Sequence, residues 1–130
     1  MRFLLDTCAV VFFVEATGDL SRAATDAIQA SDSEVFVSTV SIGELACAVA
    51  RGKLKLKQHW RVWWKEALRR NGWPCFPVTA EIAEEAYSLS EPIHRDPSDR
   101  ILIATARVER LTLVTTDGKI LGYPHVSTLR

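Results

Sequence analysis

Four carboxylates occupy positions where predicted strands end or predicted helices begin, although they are far apart along the chain. They are, in order, Asp6, Glu44, Asp99 and Asp117. In an open parallel α/β sheet such positions share one edge, and ligands bind there. Carboxylates gathered at that edge would repel one another and raise each other's pKa unless a cation neutralised them. A set of oxygen donors points to Mg²⁺, with Mn²⁺ as a substitute.

Each of these acids also has an ordinary structural explanation. Ser41 and Glu44 have the S-x-x-E spacing of a capping box, and Asp99 suits the positive end of a helix dipole. Asp117 before a glycine is typical of a turn, and Asp6 of a local cap. Taken singly, the structural explanations are the better ones. Taken together, the four positions favour a metal site.

The elements that would position these acids alternate between strands and helices. Strands are predicted at 3–5, 35–37, 75–78 and 111–115, and helices at 9–16, 20–30, 41–51, 58–70, 80–89 and from 97 onward. Thr7, Ser21 and Thr79 are the predicted helix caps. The pattern predicts an α/β fold with a central, mainly parallel sheet of about four or five strands flanked by helices. With 130 residues, no repeat and no linker, residues 1–130 are expected to form one domain.

Charge is balanced in total but segregated along the chain. Sixteen Lys and Arg against sixteen Asp and Glu give a formal net charge of zero, which excludes a domain that coats nucleic acid through bulk charge. Residues 51–70 nevertheless carry eight basic side chains and one acid. We call this segment the basic arm. Trp60, Trp63 and Trp64 share one face of its predicted helix, so they either stack on bases or pack against protein, and packing is the commoner role.

Cysteine and histidine usage indicates a reduced, cytoplasmic protein without a zinc site. Cys8, Cys47 and Cys75 are odd in number and contain no C-x-x-C pair, and the first two are expected to be small core side chains. The apolar run at 8–14 is too short to cross a membrane, which takes about 20 residues. His59 and His125 have no metal-ligand spacing, and His94 could at most support the site or contact substrate.

Four ordered motifs resemble those of PIN-domain nucleases, and the likeness is closest to the VapC-like toxin ribonucleases of bacterial type II toxin–antitoxin pairs. The motifs are LLDT at 4–7, STVSIGEL at 38–45, HRDPSDRILIATA at 94–106 and LVTTD at 113–117. Each is weak evidence alone, but their order and spacing match over essentially the whole chain. The resemblance implies a PIN-like domain and a metal-dependent endoribonuclease that a cognate antitoxin inhibits.

By this resemblance Asp6, Glu44, Asp99 and Asp117 are the catalytic acids that bind Mg²⁺. Thr115 takes the position of a hydroxyl that orients water or a carboxylate. Two accessory positions complete the set, Asp96 and Thr7. The implied reaction is hydrolysis of an RNA phosphodiester bond with metal-activated water.

Partners follow from the resemblance and from the basic arm. The family implies an RNA substrate, a cognate antitoxin and a homodimer, with no membrane partner. The residues expected to contact RNA or the antitoxin are Arg51, Lys53, Lys55, Lys57, Arg61 and Arg100. The alternative function is a non-catalytic RNA- or protein-binding module on the same fold, which the complete acid set argues against. A phosphatase of the Asp-x-Asp type fits poorly, since residue 8 is Cys.

Overall fold

The fold was analysed in a computed structural model that describes residues 1–92 and 96–130. The strands are β1 (Arg2–Leu5), β2 (Glu34–Ser38), β3 (Cys75–Phe76), β4 (Thr112–Val114) and β5 (Thr128–Leu129). The helices are α1 (Thr7–Val14), α2 (Arg22–Gln29), α3 (Val40–Ala50), α4 (Trp60–Asn71), α5 (Ala80–Ala86), α6 (Pro97–Val108) and α7 (Gly118–Leu121). His94, for which a supporting or substrate-contact role was considered, lies outside the described residues.

The strands form one five-stranded sheet in the order β3-β2-β1-β4-β5, and every pairing in it is parallel. This confirms the predicted α/β fold with a parallel central sheet. The chain winds from β1 toward β2 and β3 on one side, and toward β4 and β5 on the other. The change of direction therefore lies between β1 and β4. β5 was not predicted, because two residues carry no periodicity that a sequence pattern could reveal.

Both faces of the sheet are covered, as a parallel sheet requires. Phe3 and Leu5 point to one face and join a core that contains side chains from α1 to α4. Leu4 points to the other face and packs with α6 residues, including Leu102 and Ile103. Helix α5 lies outside α6 and packs on it. The central strand is thus buried on both sides, which fixes the end of β1 rigidly.

The tryptophans of the basic arm belong to the core. Trp63 and Trp64 are only 6% and 5% exposed, and Trp60 is partly buried against the same cluster. The interpretation that this face packs against protein is therefore confirmed, and these rings are not a platform for bases. His59 forms the N-cap of α4 through Nδ1, which accepts from the Arg61 N–H at 3.1 Å. Gly72 ends the helix in a left-handed conformation with φ of 67°.

Several helix ends differ from the sequence predictions. The N-cap of α1 is Asp6 and not Thr7, because Asp6 has extended backbone and accepts from the Ala9 N–H at 2.7 Å. The capping box at Ser41 is wrong, because α3 begins one residue earlier, after Thr39. The predicted turn at Asp117 is the cap of the short helix α7. The caps at Ser21 and Thr79 are confirmed.

The prediction that Cys8 and Cys47 are core side chains is wrong, since both are exposed. Cys47 lies two residues after the buried Leu45 and Cys8 one residue before the buried Ala9, so the turn of each helix directs the cysteine away from its inward-facing neighbour. Cys75 is half-buried, and burial raises the pKa of its thiol. Among the described residues, no helix combines the length and apolar character needed to cross a membrane.

Candidate metal centre

The predicted acids meet at the carboxyl edge of the sheet, above the point where the strand order changes direction. Asp6 directly follows β1, and Asp117 lies three residues after β4. Because β1 and β4 are adjacent and parallel, the residues that follow them emerge side by side. Helix α3 adds Glu44 from its second turn, and helix α6 adds Asp96 from its N-cap and Asp99 from its first turn. All five border one cavity of about 340 Å³.

Three of the carboxylates lie especially close together. Glu44, Asp96 and Asp99 each offer an oxygen, and these oxygens lie within 4.8 Å of one another. Asp96, expected only as an accessory acid, is thus a full member of this close group. Asp6 and Asp117 border the same cavity from the strand side. The sequence patterns therefore selected residues that the fold brings together from four separate segments.

Asp6 is held by both neighbouring segments and is only 6% exposed. The Ala9 N–H donates to its Oδ1, and the hydroxyl of Thr115 forms a second hydrogen bond with the carboxylate. Thr115 is fully buried and also accepts from the Asp117 N–H at 3.0 Å. Burial raises the pKa of Asp6, while these hydrogen bonds lower it and the negative charge of Asp117 raises it. Thr115 therefore links the two strand-end acids and fixes their orientation.

Glu44 is fixed by a short chain of hydroxyl groups. Oγ1 of Thr7 lies 2.5 Å from Oε1 of Glu44 and 2.8 Å from Oγ of Ser41. Because the Thr7 hydroxyl carries one proton, donation to Glu44 leaves its oxygen to accept from Ser41. The sequence argument missed this role of Ser41, which is completely buried. The signal was present as a polar residue on the inward face of α3, one turn before Leu45.

The remaining acids are oriented by helix N-termini. Asp96 is the N-cap of α6, where its Oδ1 accepts from the Ser98 N–H at 2.9 Å, and Asp99 lies in the first turn of that helix. Asp117 caps α7 and accepts from the Lys119 N–H at 2.8 Å. A carboxylate at a helix N-terminus is favoured by the exposed N–H groups and the dipole. The cap explanation and the site explanation therefore apply to the same side chains.

Mutual repulsion is the main electrostatic feature of the cavity. Burial first, then the charges of Asp96, Glu44, Asp117 and Asp6, raise the pKa of Asp99 to about 7. Burial likewise raises the pKa of Glu44, with Asp96 and Asp6 adding to it and the Thr7 hydroxyl opposing it. Cys8 is exposed as a residue, but its thiol borders the same cavity, where partial desolvation together with these carboxylates raises its pKa to about 11.

A divalent cation fits this arrangement chemically. The clustered donors are carboxylate oxygens, the ligands that Mg²⁺ and Mn²⁺ prefer. The cavity exposes them on one side, which leaves room for water and a phosphate. A cation there would remove the repulsion that raises the pKa of Asp99. The residues present therefore suit a hard divalent ion.

The residues expected to contact RNA or an antitoxin are distributed over several surfaces. Arg51 and Lys53 border a groove next to Glu44 and Asp96. Lys57 borders a different cavity, between α1 and α4. Lys55 is exposed on the segment between them. Arg61 and Arg100 lie over aromatic rings, with guanidinium-to-centroid distances of 5.3 Å to Trp60 and 5.1 Å to Tyr87.

The chain is similar to a known protein family, to a named ribonuclease and to several solved structures. The family described as "PIN domain" matches residues 3–125. Ribonuclease VapC22 of Mycobacterium tuberculosis is 30% identical over 125 residues, which cover 94% of this chain and 92% of that protein. Among solved structures, the VapBC2 complex of Rickettsia felis bound to a promoter DNA fragment is similar, with a TM-score of 0.74, 19% identity, and coverage of 99% of this chain and 98% of that one. A toxin–antitoxin complex from Klebsiella pneumoniae is similar, with a TM-score of 0.65, 22% identity, and coverage of 98% and 95%.

Proposed function

The chain belongs to the PIN-domain family, in the group of VapC-type ribonucleases, and on that premise we propose that it is a metal-dependent endoribonuclease toxin. The observation that carries the proposal is the convergence of five carboxylates from four segments on one cavity. Helix capping accounts separately for Asp6, Asp96 and Asp117, but it does not explain why all five acids share one edge. The reaction is hydrolysis of RNA phosphodiester bonds.

The metal-binding residues in this proposal are Asp6, Glu44, Asp99 and Asp117, with Asp96 as an accessory acid that the close carboxylate cluster supports. Mg²⁺ is the proposed ion, and Mn²⁺ a substitute. When bound, the ion supplies a Lewis acid that lowers the pKa of water and offsets charge on the phosphate. Its affinity for this site depends on ionised carboxylates, so it competes with protons for Asp99.

The chain's own residues orient these groups before substrate arrives. Thr115 holds the buried carboxylate of Asp6 against the backbone of Asp117. Thr7 holds Glu44 at 2.5 Å and is itself supported by Ser41. Such fixed hydrogen bonds reduce the rearrangement that a reaction requires. Thr115 and Thr7 are therefore proposed as positioning residues that set the directions of the acids.

A protein antitoxin is the second proposed partner. The similar solved structures include toxin–antitoxin complexes, and they supply the fold comparison that supports this proposal. The cavity between α1 and α4, which Lys57 and Arg70 border together with Phe13 and Val14, suits a segment that is partly acidic and partly apolar. We also propose a homodimer and a cytoplasmic location. Sedimentation analysis of the purified protein tests the dimer.

The experiment that tests catalysis compares wild type with Asp6→Asn and Asp99→Asn, using sequencing of RNA ends after inducible expression. Wild type should arrest growth and produce a discrete cleavage site, and both variants should lose cleavage by two orders of magnitude or more. Asp26→Asn is the matched control, because Asp26 is exposed on α2. Purified wild-type protein and Asp26→Asn should cleave the same RNA with Mg²⁺ and lose activity in EDTA.

Full activity of both site variants would refute the assignment of the acids. Tight RNA binding without cleavage in either Mg²⁺ or Mn²⁺, across many RNAs, would instead favour the non-catalytic binding module. Circular dichroism of each variant is needed alongside. Loss of activity identifies a site residue only when the fold is retained.

A further inference from the structure

A groove along α3 opens directly from the acidic cavity. It has a volume of about 520 Å³, and its lining includes Glu44 and Asp96, which also border the acidic cavity. From there it continues past Cys47 and Ala48 to Arg51 and Lys53. We call it the α3 groove. Its two ends differ in charge, with carboxylates at one end and two cations at the other.

The spacing along α3 determines how far apart the two ends lie. Gly43, Cys47 and Arg51 are four residues apart, so they lie along one face of the helix. Glu44 and Arg51 are separated by seven residues, or about 10 Å along the helix axis. A chain that enters the acidic cavity and follows this face therefore reaches Arg51 and Lys53 without leaving the surface.

The cations of the basic arm lie on two different surfaces, so the two groups have different roles. Arg51 and Lys53 face the α3 groove. Lys57 and Arg70 face the cavity between α1 and α4, and Arg70 pairs there with Glu66 at 3.1 Å. The arm is therefore not one uniform binding surface. Only its first part is continuous with the acidic cavity.

The middle of the groove is lined by the small residues Gly43, Cys47 and Ala48. A Cβ added at Gly43 would have no atom within 4 Å, so close packing does not explain the glycine. Glycine inside a helix costs about 0.5–1 kcal/mol relative to alanine. Cys47 is exposed on the same face. The groove is therefore open over its length, and an extended polar chain can lie in it.

We propose that the α3 groove binds the RNA strand beside the cleaved bond, with Arg51 and Lys53 contacting the next phosphates of that strand. The inference rests on the proposed ribonuclease function and adds the path of the substrate. Charge complementarity supports it, since phosphates need cations and the acidic end holds only carboxylates. The groove also opens directly from the acidic cavity where the cleaved bond would lie, so an RNA strand held there meets these two cations next along its path.

The first experiment measures binding of a short fluorescein-labelled oligouridylate in EDTA, where the wild-type protein cannot cleave it. The double variant Arg51→Gln/Lys53→Gln should bind more weakly, and its plot of log Kd against log salt should flatten by roughly 0.7 for each lost phosphate contact. Arg22→Gln is the matched control, because Arg22 is an exposed cation on α2. Unchanged affinity and salt dependence in the double variant would overturn the proposal.

The second experiment fills the groove without changing its charge. Cys47→Trp should raise KM for RNA several-fold with little change in kcat, while Val62→Trp, at an exposed position of α4 outside the groove, should match wild type. A labelled oligoglutamate peptide distinguishes the two kinds of partner. If the Arg51→Gln/Lys53→Gln variant lost peptide binding but bound oligouridylate as tightly as wild type, the groove would be assigned to an acidic protein segment and the RNA path would be refuted. Because the oligouridylate assay requires no cleavage, it separates failure of this proposal from failure of the ribonuclease function.

Discussion

Removing the divalent ion should make the stability of the protein depend strongly on pH through Asp99. Its pKa rises from 3.8 to about 7, because burial and four neighbouring carboxylates oppose its charge. The folded chain therefore binds this proton more tightly than the unfolded chain. By linkage, the metal-free protein is more stable at low pH and loses stability as the pH rises from about 4 to about 7.

The magnitude follows from the same shift. At about 1.36 kcal/mol for each pKa unit, the full rise corresponds to about 4 kcal/mol. Asp99 is half-buried, so solvent and salt screen part of the repulsion, and we expect about 2 kcal/mol. Asp6 and Glu44, whose pKa values are also raised, act in the same direction.

Urea unfolding in EDTA at about pH 5 and about pH 8, followed by tryptophan fluorescence, measures this difference. Wild type should be less stable at the higher pH, and Asp99→Asn should lose most of the dependence because an amide has no charge to repel. Asp26→Asn should retain the wild-type dependence. Adding Mg²⁺ at the higher pH should restore stability to wild type. Equal stability of wild type at both pH values, or a full pH dependence in Asp99→Asn, would refute the repulsion argument.

Three further outcomes are expected. Trp63→Ala should destabilise the protein by about 3–5 kcal/mol in the same urea assay, because the ring is buried in the core. Val62→Ala, at a 51% exposed position, should change stability by less than about 0.5 kcal/mol. Thr7→Val should lower the cleavage rate about tenfold and move the acidic limb of the pH–rate profile to higher pH. The reason is that Glu44 loses the hydrogen bond that lowers its pKa, and Thr7→Ser should restore both the rate and the profile. Gly72→Ala should cost about 1 kcal/mol in urea unfolding, since φ is 67° there and the added Cβ is strained.

The spacing of apolar residues and the residues that begin or end helices and strands were sufficient to predict the main architecture. The apolar run at the start of the chain and the strand before Asp117 became adjacent central strands, and their parallel pairing follows from the helices between them. Burial of individual side chains was less predictable. Cys8 and Cys47 have apolar neighbours in sequence, but a helix turns successive side chains by about 100°, so their neighbours face inward while they face solvent.

The site was predictable in its members but not in its internal contacts. Asp6 and Asp117 could be placed at one edge because parallel strands determine where their ends lie. The hydrogen bonds that join Thr7 with Glu44 and with Ser41 depend on how α1 packs on α3, which no local pattern encodes. Ser41 was therefore assigned to a helix cap that does not form. Residue types and their spacing identified the carboxylates, whereas the packing of helices on one another determined which side chains hydrogen-bond to them.

The zero net charge of the chain is best understood as a requirement of two neighbouring sites with opposite charge. An acidic cavity suited to a cation cannot attract RNA by itself, because each of its carboxylates repels phosphate. Cations inside the cavity would pair with those acids and occupy the position of the metal. Placing Arg51 about 10 Å farther along the axis of α3, with Lys53 just beyond the helix, avoids both problems, since the helix separates the charges while the groove keeps them on one continuous surface. Reversing the charge of either end should then weaken RNA cleavage for different reasons, through KM at the basic end and through kcat at the acidic end.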